Sequence, residues 1–134
     1  AQARDYLATQ PPVVWDDQYQ RLIVALITEV CVKEIWRLHG IAVTPTHVHA
    51  VASMHQKVEL VAVQRRMKQQ LGKRLSESTG KRGKRWLSRG GQPTRVKDSK
   101  HLHYLLRQYL PQQGGLYWCE GMAEPQRITR ARES

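Results

Sequence analysis

Apolar residues recur at helical spacing along the first third of the chain. Leu22, Ile23, Leu26, Ile27, Val30, Cys31, Ile35 and Leu38 form one stripe. Asp16 or Asp17 offers an N-cap and Gly40 a stop, so the pattern predicts a core-packing helix over about 16–39. Beyond Gly40 the period changes. Ile41–Val43 and His47–Met54 are β-prone, and Thr44-Pro45-Thr46 between them reads as a turn. A second helical pattern, about 57–78, turns Val58, Val61, Met67, Leu71 and Leu75 inward. Asp98-Ser99 can cap a third helix, about 99–110, whose stripe is Leu102, Leu105, Leu106 and Tyr109. Gly114-Gly115 ends that region, and Leu116-Tyr117-Trp118 reads as a last short strand. Ala1–Gln10 reads as a short helix closed by Pro11-Pro12, and the polar stretch from Glu120 is expected to fray.

Interleaved helices and strands make the class α+β, with helices expected on one face of an antiparallel sheet. The 134 residues, 40% of them hydrophobic, suit one domain over 1–118 and a polar tail over 119–134. Two or three short strands make a poor sheet, so a further strand is expected upstream of Ala1 or from another subunit. The opening Ala1-Gln2-Ala3 lacks Met, which points to a longer parent chain. No apolar run approaches the roughly 18 residues of a membrane span, and no signal peptide opens the chain. Cys31 and Cys119 are not spaced as metal ligands and read as a buried thiol and a tail thiol in a reducing compartment.

Net charge is +11, and one segment holds all of it. Arg65 to Lys100 contains 13 Lys/Arg against only Glu77 and Asp98, while the other 98 residues carry nine of each sign. This is the footprint of a polyanionic partner, with nucleic acid favoured over membrane. Arg65, Arg66, Lys68, Lys73 and Arg74 can cover the outer face of the second helix and follow phosphates. Lys81, Arg82, Lys84, Arg85 and Arg89 lie in a basic, glycine-rich loop around Trp86. Trp86 reads equally as a base-stacking platform and as a loop anchor buried in the core.

The residues that carry chemistry begin with His47-Val48-His49. In a strand, alternate side chains share a face, so both imidazoles emerge together while Val48, Ala50 and Ala52 face the apolar side. On a helix the same pair would diverge by about 200°. Two neutral nitrogen donors on one strand are half of a divalent-metal site. His101 and His103, on a helix, point apart. Tyr109 and Gln113 stand four residues apart and share a face if their helix continues, although Pro111 should kink it and leave Gln112 as a substitute. A phenol beside a metal is a candidate oxygen nucleophile, and a glutamine oxygen can complete the metal shell.

Leu38-His39-Gly40-Ile41-Ala42-Val43, Pro45 and His47-Val48-His49, then the basic helix and loop, then Tyr109-Leu110 and Gln113-Gly114-Gly115 follow in order. This arrangement resembles the single-tyrosine HUH transposases of small bacterial insertion sequences and their domesticated relatives, the REP-associated tyrosine transposases. The resemblance spans roughly residues 4–118. It implies a ferredoxin-like sheet, usually in an obligate homodimer, whose first strand is missing before residue 16. It also implies a bacterial cytoplasmic, nucleoid-associated protein acting on hairpin-containing single-stranded DNA. Carried over by match, Tyr109 is the nucleophile that leaves a 5′-phosphotyrosine link, and His47, His49 and Gln113 hold Mg²⁺ or Mn²⁺. Thr46 departs from the asparagine many relatives place before the first histidine. A catalytically inactive DNA-binding descendant and a basic RNA-binding module are the competing expectations.

Overall fold

The computed structural model of the chain describes residues 14–55, 57–82, 86–87 and 93–128. It is an α+β fold. The elements are α1 (Asp17–Glu34), β1 (Trp36–Val43), β2 (Val48–Met54), α2 (Leu60–Thr79), α3 (Ser99–Tyr104), a π-helical turn (Leu105–Tyr109), α4 (Leu110–Gln112), β3 (Gly115–Cys119) and β4 (Gln126–Ile128). The expected helix at 1–10, and any strand before residue 14, lie outside the described residues.

The first helix is shorter than its stripe predicts. Asp16 caps it, accepting from the Tyr19 N–H at 2.9 Å, while Asp17 pairs with Arg21 and Arg127. The helix stops at Ile35, held left-handed at φ 61°, whose N–H donates to the carbonyls of Cys31 and Val32. Residues 36–39 therefore belong to β1, and Gly40 is a mid-strand residue rather than a helix stop. A bulge at His39 shifts the pairing between Leu38 and Gly40, so Leu38, Ile41 and Val43 reach the same side of the sheet.

All four strands are antiparallel, in the order β2-β1-β3-β4. Two strands come from segments read otherwise: β1 takes over the end of the expected helix, and β4 forms in the stretch expected to fray. Arg127 of β4 ties back to Asp17 and to Gln20, at 3.1 Å from the latter.

Helices cover both faces, not one. On one side α1 and α2 bury Ile23, Ile27, Leu71 and Leu75 against Leu38, Ile41, Val43 and Leu116. Burying each such side chain contributes about 1.5–3 kcal/mol. On the other side Leu110 packs with Ala42, Val51, Tyr117 and Cys119, flanked by Leu102, Leu105, Leu106 and Tyr109. Gly40 makes this second layer possible, because a Cβ there would stand 2.6 Å from Leu106 Cδ2 and 2.9 Å from Leu110 Cδ1. Of the residues expected to face inward on the second helix, Leu71 and Leu75 are buried and Met67 is partly so. Val61 is exposed, and Val58 precedes the helix. Cys119 is a buried β3 residue rather than a tail thiol, and burial pushes the Cys31 thiol up to about 11. No helix among the described residues is long and apolar enough to cross a membrane.

Candidate functional site

The strand register sets the two histidines. His49 stands opposite Ala42 of β1, and Ala42 stands opposite Tyr117 of β3, so the three form one row on the face that carries the π turn. His47 precedes β2, and its ring stacks on His49 with centroids 6.1 Å apart at 18°. The β1–β2 turn fixes that placement. The Thr44 N–H donates to the His47 carbonyl at 2.9 Å, and Thr44 Oγ1 accepts from the His47 N–H at 3.0 Å. Thr46 Oγ1 lies 2.8 Å from His47 Nδ1. With Nδ1–H as donor, Nε2 keeps its lone pair, so Thr46 orients a ring that could serve as a ligand. Burial, and next the neighbouring His47, hold the His49 pKa below its ordinary value and keep that imidazole neutral.

Tyr109 approaches from the helical layer. Its ring meets His49 edge-on, with centroids 5.7 Å apart at 86°. Helical backbone continues past Pro111 to Gln112. The turn before it widens, so that the Leu110 N–H reaches back five residues to the Leu105 carbonyl. The Leu106 carbonyl thereby loses its α-helical donor, and Pro111 has no N–H to offer. The Tyr117 hydroxyl takes that place, donating to Leu106 O at 2.6 Å. Burial is the first cause that raises the Tyr117 phenol to about 12, so it stays a donor.

Gln113 comes in beside the histidines because Gly114 and Gly115, at φ 72° and 110°, turn the chain directly from α4 into β3. A Cβ on Gly115 would collide with the Val43 carbonyl. Gln113 Nε2 donates to the Tyr109 carbonyl at 3.0 Å, so Oε1 is the atom that could serve as a ligand. His47, His49 and Gln113 line one open cleft of about 640 Å³, with the Thr44–Thr46 turn, Gly114, Gly115 and Ile128. Gln112 does not line it, and Tyr109 borders it through His49. Among the described residues no three His, Cys, Asp or Glu side chains gather as a metal cluster. The donor set is instead two imidazoles and a carboxamide. Nitrogen and amide-oxygen donors of this kind suit a divalent cation whose charge an anionic ligand then balances.

The part of the basic segment carried by α2 lies elsewhere. Helix α2 packs with α1 across the sheet from the cleft. Arg66 pairs with Glu34 at 2.9 Å and Arg74 with Glu29 at 3.0 Å, so both hold α2 to α1. Arg65, Lys73 and Arg82 are exposed, and burial lowers the pKa of Lys68. Lys81 reaches the Tyr19 hydroxyl at 3.2 Å. Trp86 is only 4% exposed, stacks on Tyr19 with centroids 5.7 Å apart, and donates its indole N–H to Ser76 Oγ at 3.0 Å. It is a loop anchor and offers no face to a base. Lys84, Arg85 and Arg89 lie outside the described residues.

The roles of three residues were not in the sequence reading: Thr44, read only as a turn residue, Gly40, read as a helix stop, and Tyr117, read as a strand residue. Tyr104, a competing tyrosine with no polar partner following it at helical spacing, lies with its ring centroid 6.5 Å from that of Tyr109. No protein-family model, curated protein or solved structure matches the chain.

Proposed function

We propose that the chain is a metal-dependent, single-stranded DNA strand transferase that uses Tyr109 as its nucleophile. The observation that carries this reading is the double role of His49, stacked on His47 and touched edge-on by Tyr109. Two imidazoles and a carboxamide line one cleft, and the Tyr109 ring borders it through His49. Mg²⁺ or Mn²⁺ held by His47, His49 and Gln113 supplies Lewis-acid stabilisation of charge on the phosphate. Tyr109 Oη attacks phosphorus and gives up its proton. The bond from phosphorus to the 3′-oxygen breaks, and that oxygen takes up a proton. One phosphodiester is exchanged for another, a 5′-phosphotyrosine, so the bond energy needed for rejoining is kept. The net charge of +11 suits a polyanionic substrate.

The test is incubation with labelled hairpin-containing single-stranded DNA and Mn²⁺, read on a denaturing gel. A covalent adduct that disappears in Tyr109→Phe is the expected result. Salt-sensitive DNA binding without any adduct would establish a non-catalytic binder instead, and preferential RNA binding at equal salt would favour the RNA-binding module.

A further inference from the structure

With Trp86 buried, the proposed site needs another aromatic surface to hold an unpaired base, and Tyr104 supplies one. Its side chain is 44% exposed, and its ring centroid lies 6.5 Å from that of Tyr109. Five residues along a regular α-helix would leave the two rings about 140° apart. The π turn absorbs one extra residue, through the Leu110 N–H bond to Leu105 O, and brings them onto one face. Tyr104, Tyr109 and His49 therefore form a continuous run of rings that leads from solvent to the cleft. Lys100 is exposed one turn before Tyr104, at the i, i+4 spacing that shares a helix face, and Arg107 is exposed within the π turn. An exposed aromatic ring with a cation on the same helix face is the composition that stacks a base while its backbone is held electrostatically.

We propose that Tyr104 is a stacking platform for the nucleobase that neighbours the reacting phosphate of single-stranded DNA. This rests on the function proposed above. Tyr104 is a positioning residue: its ring fixes the base so that the adjoining phosphodiester lies at Tyr109. Stacking reads the π face common to all bases, so it sets the register of the strand without strong sequence preference.

A double-mutant cycle on DNA binding tests it, run in Tyr109→Phe protein so that no chemistry intervenes. Tyr104→Ala should weaken binding of a single-stranded oligonucleotide about tenfold or more, and Tyr104→Phe should restore it to within about twofold. One abasic nucleotide, scanned along the strand, should weaken binding to Tyr104-containing protein at one position and cost nothing further in Tyr104→Ala. The salt slope should be the same with either residue, whereas Lys100→Gln should make it shallower. Unchanged affinity in Tyr104→Ala, or equal abasic penalties with and without the ring, would overturn the proposal. So would complete absence of single-stranded DNA binding, which defeats the functional reading as well. A normal stacking cycle without any covalent adduct in the Tyr109 protein supports the platform and overturns only the chemistry.

Discussion

The Tyr117 hydroxyl donates to the Leu106 carbonyl at 2.6 Å, joining β3 to the widened helical turn, where the regular hydrogen-bond ladder is interrupted. This bond explains how a proline two residues after Tyr109 is accommodated without ending the helix. The widened turn frees a carbonyl, and a side chain from the sheet takes the place of the missing backbone donor.

Tyr117→Phe should therefore destabilise the protein by about 1–3 kcal/mol, the cost of an unsatisfied half-buried carbonyl. The loss should concentrate in the π turn. Amide exchange of Leu110 should accelerate more than that of α1, and adduct formation by Tyr109 should slow even where the protein is fully folded. Chemical denaturation and site-resolved hydrogen exchange measure both.

His49 and Tyr109 should separate in their effects on stability. Tyr109→Phe keeps the ring that meets His49 edge-on and should shift stability by less than about 0.5 kcal/mol while abolishing the adduct. His49→Ala removes the edge-on contact and the stack on His47 and should cost about 1 kcal/mol or more. It should also abolish the dependence on Mn²⁺, measured by metal titration of binding and cleavage.

Trp86→Ala should be among the most damaging single changes, costing about 3–5 kcal/mol, because it empties a core position and leaves Ser76 Oγ without the indole donor. Trp86→Phe should recover part of that stability. If both variants are compared at temperatures where they are folded, DNA affinity per folded molecule should match the parent, since the ring faces Tyr19 and the core. A specific affinity loss in folded Trp86→Phe would restore the stacking role first considered for it.

Much of the site was readable from local spacing, because strand alternation and register are short-range rules. His47, His49 and Gln113, the three singled out from the sequence, line one cleft. The helix boundary at Ile35 was not readable. A left-handed helix end usually announces itself with glycine, and here a β-branched residue takes that conformation while Gly40, the visible glycine, serves close packing of Leu106 and Leu110. The shared face of Leu38 and Ile41 was hidden for a related reason. Only the bulge at His39 lets Leu38 and Ile41 share a face, and a one-residue shift inverts the alternation on which a sequence reading depends. Two cations of the basic segment have partners that a charge count does not show. Charge counts locate cations along the chain and say nothing of partners thirty or more residues away, and Glu29 and Glu34 are those partners for Arg74 and Arg66.

Acid should loosen the far end of the sheet before the cleft. Glu120, just past β3, accepts from Arg37 Nε at 2.7 Å and lies 2.8 Å from His39 Nδ1, and His39 Nε2 lies 2.9 Å from Ser53 Oγ of β2. Three strands are thus clasped by one carboxylate. Its hydrogen bond with Arg37 is the first cause that lowers the Glu120 pKa from the ordinary 4.5, and His39 adds to it. The folded state therefore binds this proton less readily than the unfolded chain. The contribution of Glu120 is fully present above about pH 4.5 and is lost as pH falls through the lower folded value. Because the carboxylate is 35% exposed, solvent screening should keep that contribution to about 1 kcal/mol or less. Glu120→Gln should lower stability at neutral pH by this amount and flatten the acid limb of the stability profile, measured by urea denaturation between pH 3 and 7 (an on the order of 1 kcal/mol effect). An equally steep acid limb in the variant would assign the slope to other carboxylates, such as Asp17 with Arg21 and Arg127.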